Sequence, residues 1–122
     1  MDQLENNITE RRKTQRVEYK LPLQYKNLRS TGVSPAGSLS RDIGAGGVRF
    51  KSREFISLAC RLVVEITLPT AAKPIKAISK VAWIKKIPAS DEYELGNQFL
   101  EMTKEDKSHV TEFIDKVLTS AI

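Results

Sequence analysis

From Val17 to Lys26 apolar and polar residues alternate strictly, with Val17, Tyr19, Leu21, Leu23 and Tyr25 on one face and Glu18, Lys20, Pro22, Gln24 and Lys26 on the other. A period of two predicts a strand with one buried face. Pro22, on the outward face, has no N–H for a ladder, which predicts an edge position or a bulge there. Asn27 to Ser38 mixes Gly, Pro, Ser and Thr without period and reads as a surface loop. A short strand then runs to Asp42, Gly44 to Gly47 form a tight turn, and Val48 and Phe50 resume the alternation up to Ser52, so these two strands form a hairpin.

Leu62, Val64, Ile66 and Leu68 alternate up to Pro69, and Pro74 opens another extended run through Ile75, Ala77, Val81 and Trp83. After a charged turn at Pro88 to Glu92, the residues Tyr93, Leu95 and Phe99 mark a last strand, in which Gly96 predicts a bulge or a close backbone approach. Trp83 and Phe99 read as core. The period then changes: Val110, Phe113, Ile114, Val117, Leu118 and Ala121 fall on one helical face, and Thr103 with Asp106 three residues on resembles a capping box. Six or so short strands followed by one helix predict a mainly β fold, a small six-stranded antiparallel β-barrel with a C-terminal α-helix. Residues 1–9 are polar and aperiodic and read as a flexible N-terminal arm, leaving 10–122 as the folded domain.

The chain of 122 residues is one domain's length, and its 40% hydrophobic content is enough for a core without metal or disulfide. Cys60, the single cysteine, excludes an internal disulfide and reads as a small core residue. There is no signal-peptide pattern at Met1 to Thr9 and no apolar run approaching about twenty residues, so the expectation is a cytoplasmic protein with no membrane span. The net charge of +5 matters through its placement. Between Glu10 and Lys20, Arg11, Arg12, Lys13, Arg16 and Lys20 are opposed only by Glu10 and Glu18, and clustered cations create a field for an anion.

Two stretches flank the first strand and carry candidate chemistry. Arg12-Lys13-Thr14-Gln15-Arg16 has the form R-x-x-x-R, preceded by Arg11. Guanidinium forks match phosphate oxygens and the O6/N7 edge of guanine, a geometry lysine does not reproduce. Asp42-Ile43-Gly44-Ala45-Gly46-Gly47 sets a carboxylate, able to accept from guanine N1–H and its exocyclic amine, beside glycines that let backbone and ligand approach closely. Taken singly, the first is better read as a solvated charge run and the second as a hairpin turn. The glycines are no dinucleotide fingerprint, because Arg49 stands where G-x-G-x-x-G needs its last glycine.

Taken together, the two stretches resemble the PilZ family, the β-barrel receptors for the bacterial second messenger cyclic di-GMP. Arg12 and Arg16 fit that family's R-x-x-x-R; Asp42 and Gly47 fit its [D/N]-x-S-x-x-G; and Tyr93 to Phe99, YELGNQF, is similar to its last strand. The resemblance spans about Glu10 to Leu118 and implies that Arg12 and Arg16 contact phosphate and the guanine Hoogsteen edge. It further implies that Asp42 takes the guanine amino and imino protons and that Gly47 permits close approach, with Gly96 added on the last strand. Arg11 resembles the family pattern that favours an intercalated pair of ligands. The family's serine is Gly44 here, and the missing hydroxyl removes a hydrogen bond worth about 0.5–1.5 kcal/mol, or roughly two- to tenfold in affinity.

The resemblance thus implies a cyclic di-GMP receptor and adaptor, with no cofactor, whose arm orders on binding and whose new surface regulates a protein partner. The alternative is a ligand-independent PilZ-like interaction module, for which Gly44 speaks. A barrel that binds single-stranded nucleic acid ranks last, because every strand aromatic is expected to face inward. His109 has no partners at metal-ligand spacing and reads as a helix-surface residue; no metal site is expected. No nucleophile elbow or metal cluster occurs, so the expectation is a protein that is not an enzyme.

Overall fold

The computed structural model describes residues 15–119. The arm expected over 1–9, together with Arg11, Arg12 and Ala121, lies outside the described residues. Seven strands precede one helix: β1 (Arg16–Glu18), β2 (Pro22–Asn27), β3 (Ala36–Gly44), β4 (Gly47–Ser52), β5 (Arg61–Ile66), β6 (Ile75–Lys86), β7 (Tyr93–Met102) and α1 (Lys104–Leu118). The strands β3, β2, β5, β6, β7 and β4 pair in that order, all antiparallel, and β3 pairs again with β4. That last pairing closes the expected six-stranded barrel. β1 is an additional strand beside the end of β3.

The alternation read in the sequence fills the barrel. Leu23 and Tyr25 of β2, Ile43 of β3, Val48 and Phe50 of β4, Leu62, Val64 and Ile66 of β5, Ile75 and Val81 of β6, and Leu95 of β7 are all buried in one cluster. α1 packs on β1, β3 and β6 through Val110, Phe113 and Ile114. The Tyr19 ring meets Phe113 edge to face, with centroids 5.1 Å apart. Thr103 caps the helix by accepting from the Asp106 N–H at 3.1 Å. The box is half-made, since the Asp106 carboxylate accepts instead from the Lys76 N–H at 3.1 Å and ties the helix start to β6. The apolar stripe ends early: Val117 is partly buried and Leu118 exposed.

The first predicted strand is broken in two. Glu18 pairs with Asp42 but Pro22 with Leu39, so four steps along the first strand match three along β3. Burial still alternates through the break, with Val17, Leu21, Leu23 and Tyr25 inside. The irregularity falls next to Pro22, as its missing N–H requires. Ser40 stitches it: the buried hydroxyl accepts from the Leu21 N–H at 2.8 Å and donates to the Tyr19 carbonyl at 2.5 Å.

Five expectations are corrected. The loop expected over Asn27 to Ser38 is shorter, because β3 begins at Ala36 and is held to β2 by backbone pairing at Tyr25↔Ala36 and Leu23↔Ser38, which needs no apolar side chains. Trp83 is not core. Val81 pairs with Asn97 but Trp83 with Gly96, so Ala82 is a bulged extra residue that turns Trp83 to the outer face, where it is 38% exposed. The expectation that all strand aromatics face inward falls with it. Phe99, near the other irregularity of that pairing, and Cys60, just ahead of β5, are only partly buried against the core.

Replacing Ser40 by Ala leaves the Leu21 N–H buried without an acceptor and should lower stability by about 1–3 kcal/mol in urea unfolding, with an unchanged m-value. The two glycines of the β3–β4 turn should respond differently to alanine. A Cβ on Gly47 would collide with the Asn97 carbonyl of β7, while one on Gly46 meets nothing within 4 Å. Gly47→Ala should therefore cost about 1–3 kcal/mol, and Gly46→Ala should stay within about 0.5 kcal/mol of wild type.

Candidate functional site

Strand alternation decides which groups share the barrel's outer face. Val17, Ile43, Val48 and Leu95 point into the core, so Arg16 and Glu18, Asp42 and Gly44, Gly47 and Arg49, and Gly96 face outward. Cross-strand register then lines them up. One row runs Arg16↔Gly44↔Gly47↔Gln98, and the next runs Glu18↔Asp42↔Arg49↔Gly96↔Trp83. Each step spans about 4.8 Å, so both rows form one continuous patch across β1, β3, β4, β7 and β6.

At its centre Asp42 is 1% exposed although it lies on the outer face. Two guanidiniums cover it. Arg16 donates from Nε to Oδ1 at 2.7 Å and places Nη2 at 2.7 Å from the same oxygen, while Arg49 Nη2 pairs with Oδ2. Arg16 Nη2 also donates to the Gly47 carbonyl at 3.4 Å. A carboxylate withdrawn from water needs such compensation, because an unpaired buried charge is strongly unfavourable. The two arginines remain partly open to solvent. Partial burial draws the Arg16 pKa below the ordinary arginine value; beside Asp42 it remains a cation at neutral pH.

The glycines provide the floor. A Cβ on Gly44 would stand 3.2 Å from Arg16 Cγ and from the Gln15 carbonyl, so the stem of Arg16 occupies the space a side chain there would use. A Cβ on Gly96 would run into the Trp83 indole, which therefore lies directly over this glycine. The result is a surface depression of about 350 Å³, lined by Arg16, Gly47, Arg49, Trp83, Gly96 and Gln98 among others. It offers guanidinium donors and an aromatic face side by side, a set suited to a flat, anionic, hydrogen-bonding ligand.

Of the residues singled out from sequence, Arg16, Gly47 and Gly96 line this depression, while Asp42 and Gly44 lie beside it beneath Arg16. Arg11 and Arg12 lie outside the described residues. Sequence reasoning missed Arg49, Trp83 and Gln98. Arg49 carried a usable signal, because a two-residue turn between Gly44 and Gly47 places it directly opposite Asp42. Trp83 carried none, since a bulge decides which way it faces. A larger cavity of about 1140 Å³ lies along the other end of β3, lined by Glu18, Lys20, Arg41, Lys51 and Glu94 among others; Arg41 bridges to Glu94 there at 2.9 and 3.0 Å, and no described residue of either motif lines it.

His109 sits on the helix surface with Nε2 3.8 Å from Glu105. Among the described residues no group of three or more His, Cys, Asp or Glu side chains is placed to hold a metal ion, and no helix is long and apolar enough to cross a membrane.

The same architecture occurs in solved structures. Bacillus subtilis MotI/DgrA, an inhibitor of motility, is 19% identical with a TM-score of 0.71 over 86% of this chain and 49% of its own. The PilZ domain of Escherichia coli YcgR, solved with c-di-GMP, is 13% identical with a TM-score of 0.66 over 88% of this chain and 91% of its own. Borreliella burgdorferi PlzA, solved in complex with c-di-GMP, is 12% identical with a TM-score of 0.60 over 98% of this chain and 57% of its own. The chain thus spans about half the length of MotI/DgrA, and at these identities the likeness is one of fold. No curated protein sequence matches the chain. The family model for the PilZ domain matches residues 10–116, a span that takes in both motifs, the closed barrel and most of α1. The chain belongs to the PilZ domain family.

Proposed function

We propose that this chain is a cytoplasmic receptor domain for cyclic di-GMP, that the ligand lies in the depression between Arg16 and Trp83, and that the protein acts by binding alone, without catalysis, cofactor or metal. The observation that carries this reading is the Arg16–Asp42 pair set above a floor of glycines, where the family's two motifs meet. The PilZ relatives solved with c-di-GMP support it.

The chemistry follows from what each group can donate or accept. Asp42 offers the acceptor that guanine N1–H and its amine need, and Arg16 offers a fork for phosphate or for the O6/N7 edge. Gly96 lets the Trp83 indole lie flat against the strand, and that outward indole adds a stacking face worth about 1–3 kcal/mol per base. Because Arg16 already engages Asp42, binding is an exchange: the guanidinium moves to the ligand as guanine takes its place on the carboxylate. Arg11 and Arg12 bring further forks from the preceding segment, which orders over the ligand. A partner protein reads the combined surface.

A second reading, the ligand-independent module, is favoured by one observation. Gly44 replaces the motif serine, and the Arg16 stem packs tightly, 3.2 Å from where a Cβ there would stand.

Trp83 is the only tryptophan in the sequence, so its fluorescence reports on the site directly. Cyclic di-GMP at tens of micromolar should change the emission and release or absorb heat in calorimetry, while GTP should do neither. Arg16→Ala should weaken binding by about tenfold to a hundredfold, the loss expected when a hydrogen bond to a charged group goes. A folded protein that gives neither signal with cyclic di-GMP sinks the receptor reading and leaves the module.

A further inference from the structure

We propose that Arg49, which belongs to neither motif, is a positioning residue that keeps Asp42 ionised while Arg16 is transferred to the ligand; this rests on the receptor reading. Among the described residues Asp42 has two counter-ions, and they come from different kinds of place. Arg16 stands at the start of β1, held by three paired residues. Arg49 is inside β4, hydrogen-bonded between β3 and β7 in the closed barrel. Only the first is placed to leave.

If Arg16 leaves and nothing else compensates, a carboxylate that is 1% exposed faces neutral guanine donors alone. A buried carboxylate without a cation takes up a proton, and a protonated carboxyl cannot accept from both guanine N1–H and the amine. Arg49 Nη2 against Oδ2 prevents this, and because an ionised oxygen has more than one lone pair, Oδ1, which Arg16 vacates, and the remaining lone pair of Oδ2 can take the two guanine donors. Among the described residues, the charged groups facing Asp42 are Arg16 and Glu18 from β1 and Arg49 from β4; Arg41, its neighbour on β3, is engaged by Glu94. Glu18 repels the carboxylate, which makes the second cation more necessary. Arg49 Nε and Asp42 Oδ2 are both buried without a hydrogen-bond partner among the described residues, so Arg49 holds this oxygen as an ion pair and both groups keep hydrogen-bonding capacity at this spot.

The test compares wild type, Arg49→Ala and Arg49→Lys by titration with cyclic di-GMP between about pH 8 and pH 5.5, with thermal unfolding confirming that each variant is folded. Arg49→Ala should bind about tenfold to a hundredfold more weakly, and its affinity should fall further as the pH drops, because loss of a cation raises the carboxylate pKa. Wild type should stay flat over that range, and Arg49→Lys should recover most of the affinity and the flat profile. A pH-independent loss that lysine does not rescue, or affinity within twofold of wild type, overturns the proposal. Carboxyl NMR of the ligand-free proteins separates the two readings: Asp42 should titrate higher in Arg49→Ala than in wild type even if no nucleotide binds. An unchanged Asp42 titration with normal nucleotide binding in wild type rejects the role of Arg49 and keeps the receptor.

Discussion

A carboxylate buried on the outside of a barrel is the constraint around which this protein is arranged. Asp42 faces outward by strand alternation yet is closed off from water, and that combination is tolerable only because two guanidiniums neutralise it. Much of the surrounding geometry follows from bringing those cations in. β1 exists beside β3 to deliver Arg16, the break at Tyr19 to Leu21 lets the chain resume as β2 along the same strand, and Ser40 satisfies the backbone that the break exposes. The β3–β4 turn sets the register that puts Arg49 on the other carboxylate oxygen.

The glycines serve the same arrangement through what they lack. Gly44 leaves room for the Arg16 stem, Gly47 lets β4 lie against the Asn97 carbonyl, and Gly96 accepts the indole of Trp83. A methyl group at any of them would press on backbone or on a group of the site. The missing motif serine at Gly44 therefore differs from a simple lost hydroxyl, since a side chain there would also press on the Arg16 stem.

What could be read from sequence was what depends on near neighbours. The period of two from Val17 to Tyr25, the change to helical period near Val110 and the cap at Thr103 are local patterns, and each stands where the residues placed it. The barrel followed from counting such segments, and Arg16, Asp42 and the glycines followed from motif spacing. What was hidden depends on contacts distant in sequence. The break before Pro22 is secured by Ser40 on another strand, and β3 begins early because β2 supplies its hydrogen bonds. The outward turn of Trp83 hinges on one inserted residue, Ala82, since a one-residue slip exchanges the two faces of a strand. Arg49 lay between these cases: the turn made its register readable, but only a pairing argument, and no motif, drew attention to it.

The shortness of β1 has a mechanical consequence. Within four residues the chain passes from the Arg16 guanidinium, through Val17 anchored in the core, to the Tyr19 ring that braces Phe113 of α1. The candidate site and the helix packed on the barrel thus draw on the same short stretch of chain, so a substitution at Val17 would disturb both at once.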